Sequence, residues 1–184
     1  MSKTSRLYFI ALLPPQDIQD RVTEIKQYFA DNYQSRAALK SPPHITLQPP
    51  FKWLDENLPT LQQCLSQFAA ERSPFPITLS GFAAFPPRVI YVNVVKTPAL
   101  LSLQADLSAR LQTFLNIVDP SSQQRPYSPH VTVAYKDLTK PNFKAAWLEF
   151  KERSLQFEFT ASHLTLLLHN GQRWNIHSEF DFPK

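Results

Sequence analysis

Apolar positions in this chain alternate with a period of two, change to a period of three to four, and return, and the cycle runs twice. Arg6-Leu7-Tyr8-Phe9-Ile10-Ala11-Leu12-Leu13, followed by Pro14, and Arg88-Val89-Ile90-Tyr91-Val92-Asn93-Val94-Val95, followed by Pro98, are β-branched and aromatic runs of strand length. Behind the first, Ile18, Val22, Ile25 and Phe29 recur at helical spacing; behind the second, Leu100, Leu103, Leu107, Leu111 and Phe114 do, with Thr97 and Pro98 as N-cap and first-turn residues. Each helix leads to a short word of the form His, apolar, Thr, apolar, placed 38 residues after Arg6 and 42 after Arg88. A further helix follows each word, marked by Leu58, Leu61, Leu65 and Phe68 and then by Phe143, Ala146, Trp147 and Phe150. The pattern predicts strand, helix, His-strand, helix, strand, twice over. The expectation is an α+β fold, bilobal and pseudo-symmetric, with two antiparallel-type sheets around a central groove and helices outside. No linker separates the halves, so residues 1–184 read as a single domain with an internal repeat of about 6–87 and 88–184. Near the end, Asn170-Gly171 predicts a two-residue hairpin between strands over 164–169 and 172–182.

The words themselves are His44-Ile45-Thr46-Leu47 and His130-Val131-Thr132-Val133, each directly behind proline in Ser41-Pro42-Pro43 and Tyr127-Ser128-Pro129. On a strand this spacing puts imidazole and hydroxyl on one face and both apolar side chains on the other. Proline favours the extended entry. Random order would give about 0.3 His-x-Thr triplets in a chain of this composition, and short motifs recur by accident; three are present. The third, His163-Leu164-Thr165-Leu166, lacks the proline and aligns with the 79–82 region of the first half, which has no histidine. It is read as a decoy, with Leu164, Leu166 and Leu168 toward the core and His163 and Thr165 on the other face. His169 and His177 fall in the terminal hairpin and receive no role.

Composition narrows the chemistry. A chain 43% hydrophobic and 18% charged builds an ordinary core. Cys64 is the single cysteine, which excludes an intramolecular disulfide and a thiolate metal cluster; on its helix it reads as a small buried hydrophobe. The apolar run 7–13 is too short for a membrane span and lacks a cleavage pattern, so cytoplasmic residence is the default expectation. A net charge of +4 favours anionic partners without the dense basic runs of a duplex-DNA binder. With only two glycines, Gly81 and Gly171, no Gly-rich loop can cradle phosphate through backbone amides. Side chains must hold any phosphate, and threonine hydroxyls are suitable donors. Two histidines, one neutral and one cationic, are the simplest acid–base pair near neutral pH. A metal site would need further ligands at customary spacing, which these words do not supply.

On these residues the chain resembles the two-histidine (2H) phosphoesterase superfamily, in its branch of 2′-5′ RNA ligase-like and RNA 2′,3′-cyclic phosphodiesterase-like proteins. The resemblance covers the opening strand over 6–14, the segment 43–51, the strand over 88–95 and the segment 128–133. It implies His44 and His130 as the acid–base pair and Thr46 and Thr132 as phosphate ligands, with no metal and no cofactor. It implies opening of 2′,3′-cyclic phosphates on RNA termini or small nucleotides, with 2′-5′ RNA ligase-like activity as a companion. The alternative is a non-catalytic nucleotide or RNA-end binding module. Some members carry arginine five residues after the second histidine, where this chain has Tyr135 and then Lys136. Phe51 and Trp53 are candidates to stack a base, or else core residues; Arg125 and Tyr127, in the loop over 116–129, are candidate phosphate or ribose contacts, and Tyr135 is a further candidate contact. Arg88 reads as a strand start. No membrane and no protein partner is indicated, and a monomer is expected.

Overall fold

The structure, a computed structural model, describes residues 4–122 and 124–184. Along them run β1 (Ser5–Leu12), α1 (Gln16–Tyr33), β2 (Ile45–Leu54), α2 (Leu58–Ala70), β3 (Phe75–Phe85), β4 (Val89–Val94), α3 (Pro98–Leu115), β5 (His130–Ala134), α4 (Lys140–Phe150), β6 (Gln156–Ala161), β7 (His163–His169) and β8 (Trp174–Asp181). The strands form two four-stranded sheets of order β2-β1-β7-β8 and β5-β4-β3-β6, and the pairings are antiparallel. In this α+β architecture β1 and β4 hold equivalent places, each beside an edge strand that a histidine opens, His44 directly before β2 and His130 at the head of β5.

The repeat extends to helix ends. α1 and α3 are both 18 residues long and stop at a left-handed residue, Gln34 and Asn116, each with φ of 54°. In each case the next amide reaches back six residues, Ser35 N–H to the Phe29 carbonyl and Ile117 N–H to the Leu111 carbonyl, both 3.2 Å. This closure satisfies carbonyls that the last turn would otherwise leave open. At the other end of α3 the Thr97 hydroxyl accepts from the Leu100 amide, with proline in the first turn, as the sequence predicts. α4 uses Thr139 in the same way.

Interior β1 shows why a continuous apolar run forms there. Tyr8, Ile10 and Leu12 enter the main core; Phe9, Ala11 and Leu13 join Leu167 in a smaller cluster on the opposite face. The main core takes Ile45, Leu47, Leu164 and Leu166 from the first sheet and Ile90, Val92, Val131 and Val133 from the second. Buried Phe29, Phe68 and Phe150 seal it from the helices, and a fully buried side chain of this size contributes about 1.5–3 kcal/mol.

Position 87/88 lies in the turn of the β3–β4 hairpin, and β3 belongs to the second sheet while β7 and β8 return to the first, so that the sequence halves are not the spatial lobes. Three details depart from the sequence reading. The turn after β7 spans Asn170 to Arg173 rather than two residues. The Asn170 side chain accepts from the amides of Gln172 and Arg173, which removes those donors from the ladder and delays β8 to Trp174. Phe114 is 69% exposed, its ring beside the Arg110 guanidinium, because α3 presents only Leu100, Leu103, Leu107 and Leu111 to the core. Thr165 is fully buried rather than surface-facing, since β7 is an interior strand covered on both faces.

Candidate active site

β2 and β5 are outer strands of their sheets, a position that tolerates proline because no ladder donor is needed on the free side. The two edges lie against each other. In the ladders Thr46 stands opposite Ala11 and Thr132 opposite Tyr91; directly opposed residues share a face. Both threonines therefore point away from the main core. His44, Thr46, His130 and Thr132 line one cleft of about 380 Å³, together with Ser41, Tyr135 and the aromatic side chains of Phe9, Phe85 and Trp174. All four motif side chains are half-buried.

The two imidazoles are oriented alike. His44 Nδ1 lies 2.7 Å from the Pro42 carbonyl and His130 Nδ1 lies 2.7 Å from the Ser128 carbonyl. A carbonyl oxygen only accepts, so each Nδ1 carries a hydrogen and Nε2 is the nitrogen that gains or loses a proton. The proline-led approach thus does more than start a strand: it brings the carbonyl two residues upstream under the ring. Aromatic neighbours fix the ring planes. Phe9 packs on His44 at 4.7 Å between centroids, with Trp174 behind it at 4.6 Å; Tyr91 and Phe85 flank His130 at 5.1 and 5.2 Å.

Electrostatically the pair is unequal. Burial brings the pKa of His44 down to about 4; the Pro42 carbonyl opposes this, and the positive charges of Lys26 and His130 add to it. His130 is lowered by burial and partly restored by the Ser128 carbonyl. Lys26 is itself buried on α1, its Nζ donating to the Ser41 carbonyl at 2.9 Å.

The remaining candidates separate. Tyr135 lines the histidine cleft, and burial raises its phenol pKa, with Asp137 adding to the effect. The Tyr127 hydroxyl donates to the Thr46 carbonyl at 2.7 Å, so it ties the loop before β5 to β2. Arg125 is exposed and, with Tyr127, lines a neighbouring cleft of about 580 Å³ that shares Thr46, Phe85 and His130 with the first. Phe51 and Trp53 pack against the main core, Phe51 beside Tyr8 at 6.3 Å, and neither lines the histidine cleft. His163 instead approaches Glu179 at 3.5 Å on the first sheet. Burial raises the Cys64 thiol pKa, which keeps it protonated and inert.

Several contributors escape sequence reasoning. Phe9 is visible only as one residue of an apolar run, and Trp174, Phe85 and Lys26 carry no local mark of their place. Asp137 is another: its carboxylate accepts from the Ser35 hydroxyl at 2.9 Å and from the amides of Arg36 and Ala37, locking the segment after α1 to the one after β5. Among the described residues no three His, Cys, Asp or Glu side chains come together as a metal site, and no helix is long and apolar enough to cross a membrane.

The profile of the 2′-5′ RNA ligase superfamily matches residues 14–173. A Geobacillus kaustophilus protein named "Putative phosphoesterase" is 30% identical over 177 residues, covering 94% of each chain. A Bacillus cytotoxicus protein of the same name is 30% identical over 180 residues, covering 95% of this chain and 96% of its own. Among solved structures, E. coli LigT complexed with 3′-AMP superposes with a TM-score of 0.70 at 16% identity, over 98% of this chain and 100% of LigT. TT0787 of Thermus thermophilus gives 0.65 at 18% identity, over 96% and 97%. The chain belongs to the 2′-5′ RNA ligase superfamily of two-histidine phosphoesterases.

Proposed function

We propose that this chain is a metal-independent phosphodiesterase that opens 2′,3′-cyclic phosphates on RNA ends or small nucleotides, with His44 and His130 as its acid–base pair. The observation that carries the reading is the convergence of His44, Thr46, His130 and Thr132 on one cleft, with both Nε2 atoms left to exchange protons. His44 is the group held neutral more strongly, by burial and by the lysine nearby, and it acts as the base. It takes a proton from water as the water oxygen attacks phosphorus. The bond from phosphorus to one ribose oxygen breaks, and protonated His130 gives its proton to that oxygen. A ribose phosphomonoester leaves; His44 then gives its proton to solvent and His130 takes one up, which restores the starting protonation of both rings.

The Thr46 and Thr132 hydroxyls donate to non-bridging oxygens and steady the charge that develops there. LigT has been crystallised with 3′-AMP and with phosphate, ligands of the same chemistry as the proposed product. Tyr135, on the cleft wall, is a candidate substrate contact. Arg125 and Tyr127 lie beside the adjoining cleft, where a nucleoside attached to the reacting phosphate would extend.

Turnover of 2′,3′-cyclic mononucleotides tests the proposal. The expected result is release of a nucleoside monophosphate with a bell-shaped pH dependence, undiminished by a chelator. Tight binding with no turnover would identify a binding module instead, and activity lost to chelator and restored by a divalent ion would remove the two-histidine mechanism.

A further inference from the structure

Ser41 and Trp174 wall the histidine cleft on one side and also line a second cavity of about 460 Å³. Lys26 lies among that cavity's lining residues and is 1% exposed, with one of its ammonium hydrogens engaged by the Ser41 carbonyl. Arg173, from the turn between β7 and β8, is exposed at the cavity's rim and donates to the Leu39 carbonyl at 3.1 Å. Thr23 and Asn175 add neutral polar groups, and no Asp or Glu lines the space.

Two cations thus share a cavity with no acid. Burying an ammonium group without an anion is strongly unfavourable, and burial alone brings Lys26 down to about 7. Holding one carbonyl does not require a charge, since a neutral amide or hydroxyl would serve. Nor does it explain why Arg173 faces the same cavity. An anion would satisfy both cations and would also offset the charge that Lys26 exerts on His44.

We propose that the Lys26–Arg173 cavity is a second anion subsite, which takes a phosphate adjoining the one held between the histidines. The favoured substrates would then be nucleotides bearing a further phosphate, as an RNA end does, over a nucleoside 2′,3′-cyclic phosphate alone. This rests on the proposed placing of the reacting phosphate in the histidine cleft.

Calorimetric affinities for adenosine 3′,5′-bisphosphate and adenosine 3′-monophosphate test it without requiring catalysis. The intact protein should prefer the bisphosphate by about tenfold or more, as charge-assisted contacts to phosphate imply. In Lys26→Met, and separately in Arg173→Met on the exposed turn, that preference should fall to within about twofold of unity. Equal affinities in the intact protein would overturn the subsite. So would a preference that survives both substitutions, or a Lys26→Met variant in which both affinities fall by one common factor, since the lysine would then act only through the Ser41–Pro42 turn. Turnover of adenosine 2′,3′-cyclic phosphate 5′-phosphate, measured alongside, separates the two proposals: a bisphosphate preference in a protein without turnover supports the subsite and removes the hydrolase reading.

Discussion

The two histidine words are alike in their hydrogen bonding and unlike in their surroundings. Each imidazole is held through Nδ1 by a carbonyl two residues upstream, at the same 2.7 Å, at the start of an edge strand, His44 just before β2 and His130 as the first residue of β5. Across the ladder, however, Thr46 faces Ala11 and Thr132 faces Tyr91. His44 feels the charge of Lys26 and sits against Phe9, whereas His130 lies between Tyr91 and Phe85 and is lowered by burial. Shared backbone geometry sets one tautomer for both rings; unshared neighbours set different proton affinities. In the proposed mechanism the unequal affinities favour the starting state in which His44 is neutral and His130 is charged.

The third word sharpens the lesson. His163 has the same letters, yet it opens an interior strand, meets the Ser162 hydroxyl at 3.2 Å instead of an upstream carbonyl, and approaches Glu179. Its partner Thr165 is buried with a hydroxyl that finds no hydrogen bond among the described residues. Letters alone do not make the cleft. Edge position and the proline-led carbonyl do, and of the three words only the first two have both.

The largest effects are expected at the two rings. His44→Ala and His130→Ala should each lower turnover of a 2′,3′-cyclic nucleotide by about 10²–10⁴; steady-state kinetics on both variants will tell, and full activity in either removes that ring from the pair. Thr46→Ala and Thr132→Ala should fall less far, by about 10-fold to 100-fold, since one donor is lost while both proton transfers persist. A threonine loss deeper than the histidine loss would reverse the assignment of roles.

Stability effects come next. Tyr127→Phe strips a hydrogen bond from the half-buried loop and leaves the Thr46 carbonyl without that donor, so chemical denaturation should register a loss of about 1–3 kcal/mol. No change would mean that the tie between loop and β2 contributes nothing.

Acid should weaken the fold through the same inequality. An unfolded histidine titrates near about 6.5, while folded His44 titrates at about 4. Between these values the unfolded chain binds a proton that the folded ring refuses, so this contribution is present above the upper value and is lost as pH falls toward the lower. His130, lowered as well, acts in the same direction. Denaturation at pH 7 and pH 4.5 should show the loss, and His44→Ala should flatten it; an unaltered slope in the variant would contradict the burial of His44.

The smallest effects belong to the third word. His163→Ala should keep turnover within a few-fold and shift stability by about 0.5 kcal/mol or less. Thr165→Val should leave turnover intact and add up to about 1 kcal/mol, because it removes a buried hydroxyl without a partner. A His163→Ala loss as deep as that of His130→Ala would move the cleft to β7.

Local signals explain what the sequence revealed. Period-two words, proline entries and the Thr97 cap are properties of neighbouring residues, and the strands, helices and matched His-Thr pairs follow from them. Sheet order is not local: nothing near β3 announces that it pairs with β6 at Phe75–Ala161 while β7 crosses to β1. Lys26, Phe9 and Trp174 acquire meaning only when α1, β1 and β8 meet the cleft, which is why the inequality of the two rings had no sequence signature.

A crystal structure of the protein with inorganic phosphate bound would show whether the two histidine words hold one anion between them. One phosphate is expected in the cleft, within hydrogen-bond distance of Nε2 of both His44 and His130 and of the Thr46 and Thr132 hydroxyls. A phosphate held by one word alone, or seated away from both imidazoles, would contradict it.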